Sequence, residues 1–267
     1  MVAPKSPAAG RRTLRLAIRR QESPGAAPRW ERFEVEVEPG SNLISVLQGI
    51  AGRPTTAAGE KTTPVAFDCG CLEEVCGSCT MVVNGKVRQA CSCLVDQFVD
   101  GDEITVEPMT KFPVVRDLCV DRSRLFDGLK RVKAWVPLDG TYHLGGGPKE
   151  SPQDQETRYA LATCMSCGCC LEACPQYNVE PDATKWAKEF VGAAVISQAR
   201  LFNMHGTGQV LKGERLEVLS GRGGVNDCGN AQNCVQVCPK EIPLTESIGA
   251  VGRQATVQAV KRFFSGR

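Results

Sequence analysis

Hydrophobic and polar positions alternate in two stretches near the start of the chain. Leu14, Leu16 and Ile18 make up the first, and Phe33-Glu-Val-Glu-Val-Glu38 the second. A period of two marks a half-buried strand. Between them, Gln21 to Pro28 holds Ser-Pro-Gly and Ala-Ala-Pro, which reads as a hairpin loop. Pro39-Gly40-Ser41 breaks the second strand, and Ser41 or Asn42 stands where a helix over Leu43 to Ile50 needs its cap. Thr80 to Val83 and Lys86 to Ala90 flank Asn84-Gly85, the signal of a type I′ hairpin. Ile104 to Val106 predicts a further strand.

Strand, strand, helix, hairpin and strand is the order of a β-grasp domain. After about residue 115 the period changes. Arg116 to Val136 has helical spacing, and a glycine- and proline-rich stretch follows from Pro137 to Pro152, with Gly145-Gly-Gly147 inside it. Thr157 to Thr163, Thr184 to Met204 and Thr245 to Phe264 then predict helices. The fold class is therefore α+β, an amino-terminal β-grasp domain and a mostly helical carboxy-terminal domain. The expected boundaries are a flexible tail at 1–12, the first domain at 13–118 and the second at 119–267.

Length and composition leave this picture intact, since 267 residues suit two domains better than one. The start, Met1-Val-Ala-Pro-Lys-Ser-Pro, shows no apolar core of a secretory signal. Apolar runs such as Val191 to Ile196 fall far short of the ~20 residues a membrane span needs. Residues 31–110 carry thirteen acids against five bases, whereas residues 1–30 carry seven bases and one acid. The acidic segment reads either as a solvated surface or as a docking face for a redox partner. Aromatics are few and not interleaved with bases, which speaks against nucleic-acid binding.

The fifteen cysteines change the picture most. Their odd number and close spacing do not suit a disulfide framework and point to a reducing compartment, most simply a bacterial cytoplasm. Cys71-x4-Cys76-x2-Cys79, followed by Cys91, has plant-type [2Fe–2S] spacing, with zinc as the competing reading. Gly70 and Gly77 let backbone N–H groups approach the sulfurs. Cys164-x2-Cys167-x2-Cys170-x3-Cys174-Pro175 is the bacterial cubane run, whose fourth cysteine ligates the other cluster in two-cluster proteins. The third group is Cys228-x5-Cys234-x3-Cys238-Pro239. Crossing over places Cys238 with Cys164, Cys167 and Cys170 on a [4Fe–4S] cluster. Cys174 then joins Cys228 and Cys234. Position 231, where a full run has a cysteine, is Ala231, so this second cluster reads as [3Fe–4S]. A cubane with water or another residue on its fourth iron is the competing reading. Cys69, Cys93, Cys119 and Cys169 are left over, expected as small buried side chains. His143 and His205 are the two histidines, too few for a Rieske centre. His205-Gly-Thr-Gly208 and Gly221-Arg-Gly-Gly224 match no phosphate loop. No Ser/His/Asp set or carboxylate pair stands out, so no catalytic residue is assigned.

One plant-type motif followed by two crossed bacterial motifs, with Phe112-Pro-Val-Val-Arg-Asp-Leu118 between them, resembles the iron–sulfur subunits of succinate dehydrogenase and fumarate reductase. The resemblance covers about Leu14 to Phe264. Cys71-Leu-Glu-Glu-Val-Cys-Gly-Ser-Cys79 with Asn84-Gly85 behind it is most similar to the menaquinone-linked bacterial branch. The resemblance implies a plant-type ferredoxin-like first domain and a bacterial-ferredoxin-like second. It implies a flavoprotein partner with FAD, a membrane cytochrome b partner with quinone and often haem, and a place on the cytoplasmic face of the bacterial inner membrane. Electrons would run from FAD through [2Fe–2S], [4Fe–4S] and [3Fe–4S] to quinone near the last cluster. Ubiquinone-linked members carry a tryptophan shortly after the crossed-over cysteine and a histidine after the first [3Fe–4S] ligand. Here Gln176-Tyr177-Asn178-Val179 and Gly229 stand there, which shifts quinone binding toward the membrane partner. Fumarate reduction by the same architecture and a stand-alone multi-cluster carrier are the alternatives to succinate oxidation. A zinc-stabilised interaction module is a third.

Overall fold

Strand β1, Arg12–Arg20, buries Leu14, Leu16 and Ile18 on one face, as their alternation requires. The computed structural model describes residues 12–99, 101–137 and 149–265. The tail expected at 1–12 thus falls outside the described residues except for Arg12, which opens β1. Most of the glycine-rich stretch, including Gly145 to Gly147, also lies outside them. The chain divides into two compact units, Met1–Asp121 and Arg122–Arg267.

In the first unit, β1 pairs antiparallel with β2 (Arg29–Val37) through the expected hairpin. Helix α1, Leu43–Gly52, starts where Asn42 Oδ1 accepts from Ser45 N at 2.9 Å, so Asn42 and not Ser41 is the cap. Strands β3 (Thr80–Val83) and β4 (Lys86–Gln89) are joined by Asn84 and Gly85 at φ 47° and 72°, the left-handed pair a type I′ turn demands. Strand β5, Glu103–Glu107, runs parallel to β1 and antiparallel to β3. The sheet order is β2-β1-β5-β3-β4. One core holds Leu16, Ile18, Phe33, Leu43, Leu47, Met81 and Ile104 together with Cys79, Cys91 and Cys93. Several acids of the acidic segment pair across strands with arginines: Glu34 with Arg15, Glu103 with Arg32 and Glu107 with Arg19.

The helix expected over Arg116 to Val136 is not there as such. Val114–Arg116 and Cys119–Val120 form a short hairpin, β6 and β7, and helix α2 covers Ser123–Arg131 alone. Asp117 causes the difference. At φ 46° and fully buried, it accepts from Arg20, and Arg20 also reaches Glu31 and Thr63. That pull holds the chain in the first unit until Asp121.

In the second unit, α3 runs over Pro152–Ala162, a turn and a half earlier than Thr157. Ser151 caps it and Pro152 sits in its first turn, a start signal the sequence did carry. The helix expected over Thr184 to Met204 is two pieces, a 3-10 turn at Ala183–Lys188 and α5 at Ala193–Met204. Gly192, at φ 86°, separates them. Two four-residue helices, α4 (Cys169–Glu172) and α7 (Asn233–Gln236), sit within the second and third cysteine groups. Helix α6, Lys212–Ser220, was not foreseen, and α8, Leu244–Ser265, was. Arg215 of α6 is wholly buried and donates to the carbonyls of Lys133, Trp135 and Gly208, which satisfies its guanidinium.

Candidate metal centres

The first centre is a surface loop curled by left-handed residues, with Cys76 exposed and Cys71 half-buried. Leu72, Glu74 and Gly77 have φ of 62°, 54° and 70°. The loop aims three backbone N–H groups at one sulfur: Glu73, Val75 and Cys76 donate to Cys71 Sγ at 3.4, 3.2 and 3.3 Å. Cys71 N donates to Cys76 Sγ at 3.5 Å, and the Ser78 hydroxyl lies 3.1 Å from the same sulfur. A Cβ on Gly70 would stand 3.2 Å from Cys76 Sγ, so glycine there keeps the sulfur's surroundings open. These donors favour thiolate: the Ser78 hydroxyl first, then the backbone N–H groups, bring the Cys76 thiol down to about 6. The β3–β4 hairpin returns the chain, and Ala90 N bonds Cys79 O at 3.1 Å, which sets Cys91 beside Cys79. Burial first, and the neighbouring Cys79 next, push the Cys91 thiol up to about 11. Ser92 fastens the arrangement by donating to Glu74 at 2.6 Å.

The second unit gathers cysteines from two groups around one cavity. Cys164, Cys167, Cys170 and Cys238 line it together with the unassigned Cys169, and Ala194, Ile242 and Leu244 add apolar lining. Ser166 and Gly168, at φ 51° and 89°, make the turns that bring the first three round. Cys170 is buried, and its thiol is pushed well up by burial and then by Cys167, Cys164 and Cys238. Cys167 goes the other way, to about 7, through a hydrogen bond with the Cys169 thiol, a backbone N–H and the charge of Arg122, against burial. Arg122 also donates to Cys167 O at 3.3 Å.

Cys234, which also acts on Cys170, has Cys174 and Cys228 in reach. Burial first, then Cys174 and Cys228 nearby, raise the Cys234 thiol. Asn233 Nδ2 donates to Ala173 O at 3.0 Å and ties the third group to the second. Asn230 and Gln232, at φ 53° and 63°, bracket the exposed Ala231. Of the cysteines left over, Cys93 and Cys169 are buried, Cys119 is half-buried beside Asp68, and Cys69 is exposed. Ser78, Arg122 and Gln176 are neighbours of the sulfurs that cysteine spacing did not single out.

Among the described residues, no three His, Cys, Asp or Glu side chains converge on a point that fits a single metal ion. An iron–sulfur core asks for something else, several thiolates spread over a core of more than one iron. Thiols set around a common cavity, and N–H groups directed at sulfur, are the donor set such a core takes.

Comparison with known proteins places these features in a class. The family model "2Fe-2S iron-sulfur cluster binding domain" matches residues 15–127, and "4Fe-4S dicluster domain" matches residues 160–242. The chain is thus an electron-transfer protein with two iron–sulfur domains. It is 52% identical over 253 residues to the succinate dehydrogenase iron–sulfur subunit of Bacillus subtilis, covering 95% of this chain and 96% of that one. It is 30% identical over 252 residues to the fumarate reductase iron–sulfur subunit of Haemophilus influenzae, covering 88% of each. A chain of the Mycobacterium smegmatis Sdh1 complex in the apo form shares the fold, with a TM-score of 0.77 at 21% identity over 93% of this chain and 98% of that one. The chain belongs to the family of succinate dehydrogenase and fumarate reductase iron–sulfur subunits.

Proposed function

We propose that eleven cysteines hold three clusters and that the chain hands electrons from the FAD of a flavoprotein partner to menaquinone at a membrane cytochrome b partner. Cys71, Cys76, Cys79 and Cys91 would hold [2Fe–2S]. Cys164, Cys167, Cys170 and Cys238 would hold [4Fe–4S], and Cys174, Cys228 and Cys234 would hold [3Fe–4S]. When bound, the clusters supply one-electron oxidation and reduction. The protein's own part is to hold thiolates and aim N–H groups at them.

One observation carries this reading: Cys238 of the third group lines one cavity with Cys164, Cys167, Cys169 and Cys170, while Cys234 feels both Cys174 and Cys228. Succinate oxidation is the favoured direction, because the 52% identity is to a succinate dehydrogenase subunit. No helix among the described residues is long and apolar enough to cross a membrane. Partner subunits would hold the chain at the membrane, on its cytoplasmic face as the resemblance implies.

An electron paramagnetic resonance redox titration of the natively purified complex tests the reading. Three spectroscopically distinct centres, with flavin and haem copurifying in fixed ratio to this chain, are expected. A chain that purifies alone, or that carries fewer than three centres, overturns it.

A further inference from the structure

Gln176, two residues beyond Cys174, is half-buried and its amide is the hydrogen-bond partner of Cys174 Sγ at 3.8 Å. The same amide occupies the space beside Gly229. A Cβ on Gly229 would stand 2.5 Å from Gln176 Nε2 and 2.9 Å from its Cδ. Gly229 is outside the left-handed region, so its backbone does not call for glycine. The missing side chain matters for space: it leaves room for the Gln176 amide next to Cys228.

We propose that Gln176 is a positioning residue that donates an N–H to the Cys174 sulfur at the trinuclear centre, and that Gly229 keeps this amide in place. The inference rests on the assignment of Cys174 as a ligand of that centre. A thiol at Cys174 donates to Oε1. A ligating thiolate has no proton, so the amide turns over and presents its NH2 group. An N–H donated to a cluster sulfur stabilises the reduced, more negative state more than the oxidised one, and so raises the midpoint potential. Its loss lowers that potential. Because the crowding atoms belong to the end of a flexible side chain, Gly229→Ala would displace the amide and leave the backbone where it is.

The test is the potential of the trinuclear signal, read by paramagnetic resonance titration of the purified complex. Gln176→Leu should reduce the ratio of reduced to oxidised centre at fixed potential on the order of tenfold, about 59 mV for a one-electron couple. Gly229→Ala should shift it the same way, and the double variant should shift no further than Gln176→Leu alone. If Gln176→Leu fails to assemble, the Gly229→Ala shift alone decides. An unchanged potential in either single variant, or fully additive shifts in the double, overturns the inference. Cys174→Ser is measured alongside. If it leaves the trinuclear signal unchanged, the ligand assignment fails and the inference with it. If it alters the signal while Gln176→Leu does not, the inference alone fails.

Discussion

Asp117 shows how much one buried carboxylate decides. It accepts from Arg20 Nε at 2.9 Å, Arg20 Nη2 at 3.2 Å, Gln21 N at 3.0 Å and Ala66 N at 2.9 Å, with no exposure to water. Removing it leaves the guanidinium of Arg20, also fully buried, with Glu31 as its remaining acidic partner. Asp117→Ala should therefore cost about 3 kcal/mol, the lower end for breaking a buried ion pair, seen as an earlier midpoint in denaturant unfolding of the intact chain. At the proposed trinuclear centre, Ala231→Cys supplies the thiol that the third cysteine group lacks. Its oxidised form should lose the [3Fe–4S] resonance signal as a cubane forms, and an unchanged signal counts against the place given to position 231. The sequence disclosed these two residues unequally. The gap at Ala231 is a feature of the chain itself, since cluster chemistry imposes spacing along it. The pull of Asp117 is not, because its partner Arg20 is 97 residues away and only folding brings them together.

Among the elements, those set by local rules were legible and those set by distant contacts were not. Alternation gave β1 and β2, and Asn84-Gly85 gave the β3–β4 hairpin. Helix α5 was drawn too long because nothing in a helical period reports that Gly192 is left-handed. A Cβ there would stand 2.0 Å from Leu171 Cδ2, beside Cys170. Gly192→Ala should thus destabilise the second unit by at least ~2 kcal/mol, from left-handed strain and overpacking together, measured by thermal unfolding. Helix α5 ends at His205, whose Nδ1 accepts from Thr207 N at 3.1 Å and Gly208 N at 3.0 Å. Burial first, and the charge of Arg158 second, hold its pKa below the ordinary histidine value. A lowered folded-state value means that the stabilising contribution is present above about pH 6.5, the unfolded value. It is lost as pH falls from there through the folded value. Acidification from about pH 7.5 to 5.5 should lower the thermal midpoint of the native chain more than that of His205→Asn, which keeps an acceptor but does not titrate. Equal losses would show that His205 does not report on the end of α5.

At the scale of the molecule, the two units differ in what metal contributes. The first has a five-stranded sheet closed over a core of large apolar side chains. In the second, α4 and α7 carry proposed ligands on four residues each, far below the length at which a helix is stable by itself. Iron removal should leave slow hydrogen exchange in β1 and β5 and abolish protection at α4 and α7; equal loss in both units would contradict this. Whether the second and third cysteine groups cross is decided by Cys238→Ser in the assembled complex, with the [2Fe–2S] signal as the control for a folded chain. The [4Fe–4S] resonance signal should be lost and the [3Fe–4S] signal retained; loss of the [3Fe–4S] signal alone would show that the groups do not cross.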